Sequence, residues 1–137
     1  MAEVCAVMNV MQQWGMGNFT NDKAAETAEA TWNEDCTLDA TANVKTTDIY
    51  KPYTGRQGVL DWVAALDQIE FKDFTPSLVG VADGKVFIKA TYTPVLKSSG
   101  KAMGPQEDIH SWTVKDGKIS EAKFFWGNTK DLEELWG

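Results

Sequence analysis

Apolar residues recur every three to four positions in three segments of the chain, which is the spacing of an amphipathic helix. The segments cover about residues 4–14, 22–33 and 54–66. The third opens with Thr54-Gly-Arg-Gln57, the pattern of a capping box. Near the end of the chain, Asn128 precedes a short apolar stripe and is a good helix cap. We therefore predict three helices in the first half and one at the C-terminus.

From Ile69 the apolar period changes to two, the period of a half-buried strand. Asp83-Gly84 and Asp116-Gly117 each predict a two-residue hairpin turn, because both residue types tolerate positive φ. Cys36 to Ala42 predicts a shorter strand before the third helix, and residues 97–106 predict a long mobile loop. The second half of the chain is thus a meander of four strands.

This order of elements places helices on one face of a curved antiparallel sheet, which is an α+β fold. A length of 137 residues is typical of one domain with a sizeable core, so we assign residues 1–137 to a single domain.

The charge of the chain excludes some partners. The formal net charge is −7 and Arg56 is the only arginine. Lys and Arg supply most of the affinity for nucleic acid and for anionic lipid, so we expect neither partner. No apolar run approaches the roughly 20 residues of a membrane span. Glu3 replaces the basic start of a signal peptide, which favours the cytoplasm as the location.

The residues that hold metals are sparse. Cys5 and Cys36 fall on different predicted elements, as expected for two buried thiols in a reducing compartment. One histidine and two separated cysteines do not form a zinc pattern, and we expect no metal and no cofactor.

The strand before the last hairpin turn carries the best candidates for chemistry. Asp108, His110 and Trp112 share one face because strand side chains alternate, and His110 is the only histidine in the chain. Burial in an apolar pocket shifts the pKa of such groups toward neutrality, where they exchange protons. A carboxylate beside the imidazole would favour its charged form. The alternative is a polar strand end with a solvated Asp108 and a His110 that serves the core.

Three local patterns resemble one known superfamily. They are Trp32-Asn-Glu-Asp-Cys-Thr-Leu38, then Tyr53-Thr-Gly-Arg-Gln-Gly-Val59 followed by Trp62, and Trp112-x-Val-x-Asp-Gly-Lys-Ile119. In this order and spacing they resemble the nuclear-transport-factor-2-like superfamily, especially its SnoaL-like branch, across nearly the whole chain.

The resemblance implies a cone-shaped α+β barrel of the cystatin-like superfold, in which the sheet wraps around the helices and encloses an apolar pocket. It also implies a homodimer through the open sheet face, where Ile109, Ser111 and Thr113 mix apolar and polar groups. Relatives include ketosteroid isomerase, scytalone dehydratase, polyketide cyclases, limonene epoxide hydrolase and non-enzymatic binding modules. The fold therefore leaves the activity open.

The chain departs from these relatives at three positions. Asp39 lies in the strand where ketosteroid isomerases place their general base, but Ala40 is in register with that base. Asp39 is a second candidate base, with a surface or capping role as the alternative. Gly127 stands where many SnoaL-like chains carry an acid, and Arg56 opens a helix instead of lying on a strand as in limonene epoxide hydrolase.

Six tryptophans in 137 residues favour a planar or polycyclic apolar ligand, although core packing is the alternative for most of them. The candidate contacts to this small apolar molecule are Tyr53, Trp62, Tyr92, Trp112 and Trp126. Our first hypothesis is an isomerase, dehydratase or cyclase in which Asp108 and His110 shuttle a proton and Tyr53 polarises a carbonyl. The second is a non-catalytic binding or dimerising module with the same pocket.

Overall fold

The computed structural model of the chain describes residues 2–45 and 48–136. Its elements alternate between helices and the strands of one sheet, and run in this order: α1 (Ala2–Gly15), α2 (Ala24–Thr31), β1 (Trp32–Asp39), β2 (Pro52–Thr54), α3 (Gly55–Leu66), β3 (Ile69–Ala82), β4 (Lys85–Leu96), β5 (Gln106–Lys115), β6 (Lys118–Phe125) and α4 (Thr129–Trp136). No helix in these ranges is both long and apolar enough to cross a membrane.

The six strands form one curved sheet in the order β2-β1-β6-β5-β4-β3. All neighbours are antiparallel except β1 and β6, which are parallel. The predicted α+β class is confirmed. The sheet stays open, with β2 and β3 as its edges, and α1 and α3 lie against the concave face.

Both predicted hairpin turns are confirmed. Asp83 and Gly84 have φ of 53° and 73°, and Asp116 and Gly117 have φ of 55° and 79°. Two successive residues with positive φ match the right-handed twist of the flanking strands, so they set the β3–β4 and β5–β6 registers. As predicted, Asn128 caps α4, because its side-chain Oδ1 accepts a hydrogen bond from the backbone N–H of Asp131 at 3.1 Å.

Two local predictions were wrong. The second helix ends at Thr31, and Trp32 begins β1 because its side chain is buried against Trp112, with ring centroids 5.8 Å apart. Tertiary packing overrides helix propensity there. The capping box does not form: Thr54 makes no side-chain cap bond, and the amide of Gln57 donates to Asp61 instead.

Arg56 at the start of α3 has a structural partner. Its Nε donates to the backbone carbonyl of Trp32 at 2.9 Å. This bond ties α3 to the point where α2 gives way to β1, so Arg56 helps to hold Trp32 against the sheet.

Candidate functional site

A cavity of about 90 Å³ lies between α1, α3 and the concave face of the sheet. Its walls are apolar and largely aromatic. Among the described residues, the ionisable groups in its lining are Asp108, His110 and Tyr92. Groups enclosed in this way have little access to water, so burial controls their protonation.

Three inward positions of β5 supply most of this polar chemistry. Asp108, His110 and Trp112 all line the cavity, as the strand alternation predicts. Their partners across the ladder in β4 are apolar and fully buried: Ala90, Ile88 and Val86. These three β4 side chains have no polar groups, so none of them can form a hydrogen bond with the β5 residue opposite it.

Asp108 is fully buried, and both of its oxygens accept hydrogen bonds. The hydroxyl of Tyr92 donates to Oδ2 at 2.6 Å, and the backbone N–H of Gly127 donates to Oδ1 at 2.9 Å. Burial raises the pKa of Asp108 above its ordinary value of 3.8, while the two hydrogen bonds oppose that rise. Burial and the adjacent carboxyl group also raise the pKa of Tyr92.

Position 127 requires glycine for a steric reason. A Cβ built on it would lie 2.0 Å from the carbonyl oxygen of Glu107, so the two backbones approach closely only with glycine. This approach brings the Gly127 N–H to Asp108. The position that carries an acid in many SnoaL-like chains thus provides a backbone donor to an acid on the neighbouring strand.

His110 is neutral at pH 7. Burial lowers its pKa to about 3, and its Nδ1 is buried with no hydrogen-bond partner. The expectation that Asp108 would favour the charged imidazole was wrong, because the oxygens of Asp108 face Tyr92 and Gly127. The ring instead packs edge-on against Phe124, with centroids 4.5 Å apart.

Unsatisfied polar atoms are concentrated along the inward face of β5. Within residues 2–45 and 48–136 they are both amide atoms of Gln106, Nδ1 of His110, and Nε1 of Trp112 and of Trp32, which packs against Trp112. Each such group costs about 1–3 kcal/mol of stability. Three of the four residues, Trp32, His110 and Trp112, line the cavity, so a molecule bound there can supply the missing hydrogen bonds.

The aromatic wall contains most of the predicted contacts. Trp62, Tyr92, Trp112 and Trp126 line the cavity. Phe124, which no sequence pattern singled out, packs against Trp62 and Trp112 and stacks on Trp126 at 5.6 Å with an interplanar angle of 20°. Its inward position on β6 follows from strand alternation, because it lies two residues after the buried Ala122.

A second aromatic group closes the cavity toward α1. Trp14 packs edge-on against Phe71 and Phe74, at 5.1 and 4.9 Å between centroids. All three also line an adjoining surface cleft of about 610 Å³. Phe71 and Phe74 both face inward because a bulge at Asp73, with φ of 56°, breaks the alternation of β3. No sequence pattern predicted this bulge, so Phe71 and Phe74 were not among the predicted lining residues.

Two predicted site residues are not part of the cavity lining. The hydroxyl of Tyr53 donates to the backbone carbonyl of Ile49 at 2.9 Å, and its ring packs against Trp62. Oδ1 of Asp39 accepts a hydrogen bond from the backbone N–H of Thr41 at 3.0 Å. Hydrogen bonding to Thr41 lowers the pKa of Asp39, so this carboxylate is a weaker base than an ordinary one.

The fold is shared with several solved proteins. An NTF2-like protein from Burkholderia xenovorans LB400 has a TM-score of 0.80 at 14% identity, over 99% of this chain and 96% of that one. A Jannaschia sp. CCS1 protein, provisionally named a SnoaL-like polyketide cyclase, has 0.64 at 17% identity, over 91% and 87%. TerC, co-crystallised with polyporic acid, has 0.71 at 16% identity, over 98% of both chains.

No protein-family model and no curated protein matches the chain. The structural similarities confirm the predicted NTF2-like fold. At 14–17% identity they do not transfer an activity, since one fold supports many functions.

The burial of His110 predicts a pH-dependent stability. In the unfolded chain the imidazole of His110 binds a proton below about pH 6.5, whereas in the folded chain it does so only below about pH 3. The free energy of unfolding therefore falls as pH falls through this range. The His110→Phe variant lacks this effect. Between pH 7 and pH 5 it should gain about 2 kcal/mol of unfolding free energy relative to the wild type, measured by urea denaturation.

The raised pKa of Asp108 has the opposite effect on stability, but it is present in both proteins and largely cancels in their difference. A difference between the two proteins that is the same at pH 7 and pH 5 would show that His110 has the same pKa in the folded and unfolded states, which would refute the shift caused by burial.

Proposed function

We propose that the protein is a cofactor-independent acid–base enzyme, an isomerase, dehydratase or cyclase, acting on a small apolar molecule that contains a ring. The observation that carries this proposal is a carboxyl group of raised pKa, Asp108, in the wall of an apolar cavity. A carboxylate in such surroundings is a stronger base than one in water, which suits proton transfer near neutral pH.

Each polar residue of the cavity has a distinct role in this proposal. Asp108 removes a proton from a carbon of the substrate and returns it at a second position. Tyr92 and the backbone of Gly127 hold the two carboxylate oxygens in a fixed direction. Neutral His110 donates or accepts a hydrogen bond through the ring nitrogen that the protein leaves unpaired. His110 thus serves as a hydrogen-bonding group in this proposal, in place of the proton shuttle with Asp108 that the sequence suggested.

The volume of the cavity limits the size of the ligand. About 90 Å³ is well below the roughly 300 Å³ at which small-molecule sites usually begin. A single ring suits this space better than the polycyclic ligand that the tryptophan content favours. A larger substrate would extend past Trp14 into the adjoining cleft, which shares Phe71 and Phe74 with the cavity.

A non-catalytic binding module is the second candidate, and one observation favours it. Both oxygens of Asp108 already accept hydrogen bonds, so the carboxylate has fewer free lone pairs for a substrate proton. In that case Asp108 would fix the shape of the pocket, and the ligand would be held without turnover.

The Asp108→Asn variant separates the two candidates. The amide keeps the shape of the side chain but is not a base, so kcat should fall about 10²- to 10⁴-fold while ligand affinity changes only a few-fold. The substrate for this assay comes from a turnover screen of single-ring isomerase, dehydratase and cyclase substrates. Asp39→Asn is the matched control, because its carboxylate lies outside the cavity lining, and it should retain wild-type kcat. Equal losses of turnover and affinity in Asp108→Asn would favour the binding module.

We also propose that the protein forms a homodimer through the convex face of the sheet. On that face Ile109 is in register with Phe125, which is 48% exposed. Light scattering at micromolar concentration should give twice the chain mass of 15.2 kDa, and Phe125→Glu should shift it toward the monomer. A monomeric wild type would refute the dimer.

A further inference from the structure

Two indole N–H groups of residues that line the cavity have no hydrogen-bond partner. Nε1 of Trp32 and Nε1 of Trp112 are buried without a hydrogen bond, and both residues line the cavity. Their ring centroids are 5.8 Å apart. By contrast, Nε1 of Trp126 donates to the carbonyl of Ala40, and Nε1 of Trp136 donates to the hydroxyl of Tyr50. Trp126 and Trp136 thus have hydrogen-bond acceptors for their indole N–H groups, whereas Trp32 and Trp112 do not.

The chemistry of indole defines what would satisfy the pair. An indole N–H is a donor only, so its partner must be an acceptor. His110 adjoins the pair, with its ring centroid 6.1 Å from that of Trp112, and its unpaired Nδ1 accepts or donates according to tautomer. Two donors and an adaptable third group suit an oxygen atom with two lone pairs.

The charged residues of the cavity lining determine whether the bound oxygen belongs to a charged or a neutral group. Its described lining contains no lysine and no arginine, while Asp108 is present. The nearest guanidinium, that of Arg56, donates through Nε to the backbone of Trp32. A carboxylate or phosphate would be buried here without a countercharge, which is strongly unfavourable. A neutral carbonyl oxygen meets both requirements.

We propose that Trp32 and Trp112 form a carbonyl-binding subsite that orients the ligand in the cavity. The proposal rests on the proposed function and adds the class of its substrate, a neutral ring compound with a carbonyl group. Trp112 and Asp108 are four residues apart on β5, about 13 Å between Cα atoms. The subsite is therefore formed by residues other than Asp108, and it acts by positioning the ligand.

Indole N–H resonances test the subsite directly in the wild-type protein. The probes are cyclopentanone and cyclopentene, which share a five-membered ring and differ in the acceptor oxygen. Cyclopentanone should bind saturably and move the Trp32 and Trp112 indole protons downfield in a ¹H–¹⁵N spectrum. Cyclopentene should leave them nearly unmoved. Trp136, whose N–H is already bonded to Tyr50, is the internal reference.

Variants measure the strength of the interaction. Trp32→Phe and Trp112→Phe each remove one donor, so each should weaken cyclopentanone binding about three- to tenfold and leave cyclopentene binding nearly unchanged. Trp136→Phe is the matched control, because Trp136 is not in the cavity lining, and it should bind both probes as the wild type does.

Three results would overturn the subsite: cyclopentanone that does not bind saturably, cyclopentanone that binds without moving either indole proton, or equal shifts from both probes, which would indicate ring packing alone. These results are independent of turnover. If cyclopentanone binds at the indoles and Asp108→Asn retains full kcat, the subsite stands and the proposed acid–base role fails.

Discussion

The structure of the site depends on holding one carboxyl group in an apolar cavity. Asp108 is tolerated there because Tyr92 donates to one oxygen and the backbone of Gly127 to the other. A buried carboxyl without such partners would be strongly unfavourable. These two bonds link β4, β5 and the turn after β6, so three segments of the chain fix the direction of the carboxyl group. The close backbone approach of Gly127 to Glu107 is the steric condition for this arrangement.

The other polar side chains on the inward face of β5 have fewer of their hydrogen bonds satisfied than Asp108 has. Gln106, His110 and Trp112 share the inward face of β5 with Asp108, yet each has at least one buried polar atom without a partner. Replacing such groups by apolar residues of the same shape is often neutral or stabilising. Of these residues, His110 and Trp112 line the cavity, so a ligand bound there would supply the hydrogen bonds that the chain does not. A cost in stability that favours binding or catalysis is common at functional sites, and the proposed function accounts for it in this way.

The sequence was sufficient for the parts of the fold that depend on local rules. Helix periodicity, the two Asp-Gly turns and the inward alternation of β5 follow from residue types alone, and the structure has all of them. The partners of Asp108 were not predictable, because Tyr92 and Gly127 reach it through the registers of neighbouring strands. The β-bulge at Asp73, which turns Phe71 and Phe74 into the cavity, also had no local signal. Asp39 and Tyr53 were named from local patterns and resemblance, and tertiary packing places both outside the lining.

Asp108 suits the proposed role of base only if its pKa is raised, and a titration followed by ¹³C NMR of its carboxyl carbon measures that pKa. We expect an Asp108 pKa above the ordinary 3.8 in the wild type, because burial disfavours the charged carboxylate. In Tyr92→Phe it should rise further, because a hydrogen bond to the carboxylate is lost. An Asp108 pKa at or below 3.8 in the wild type would refute its role as the base, since the carboxylate would then be too weakly basic.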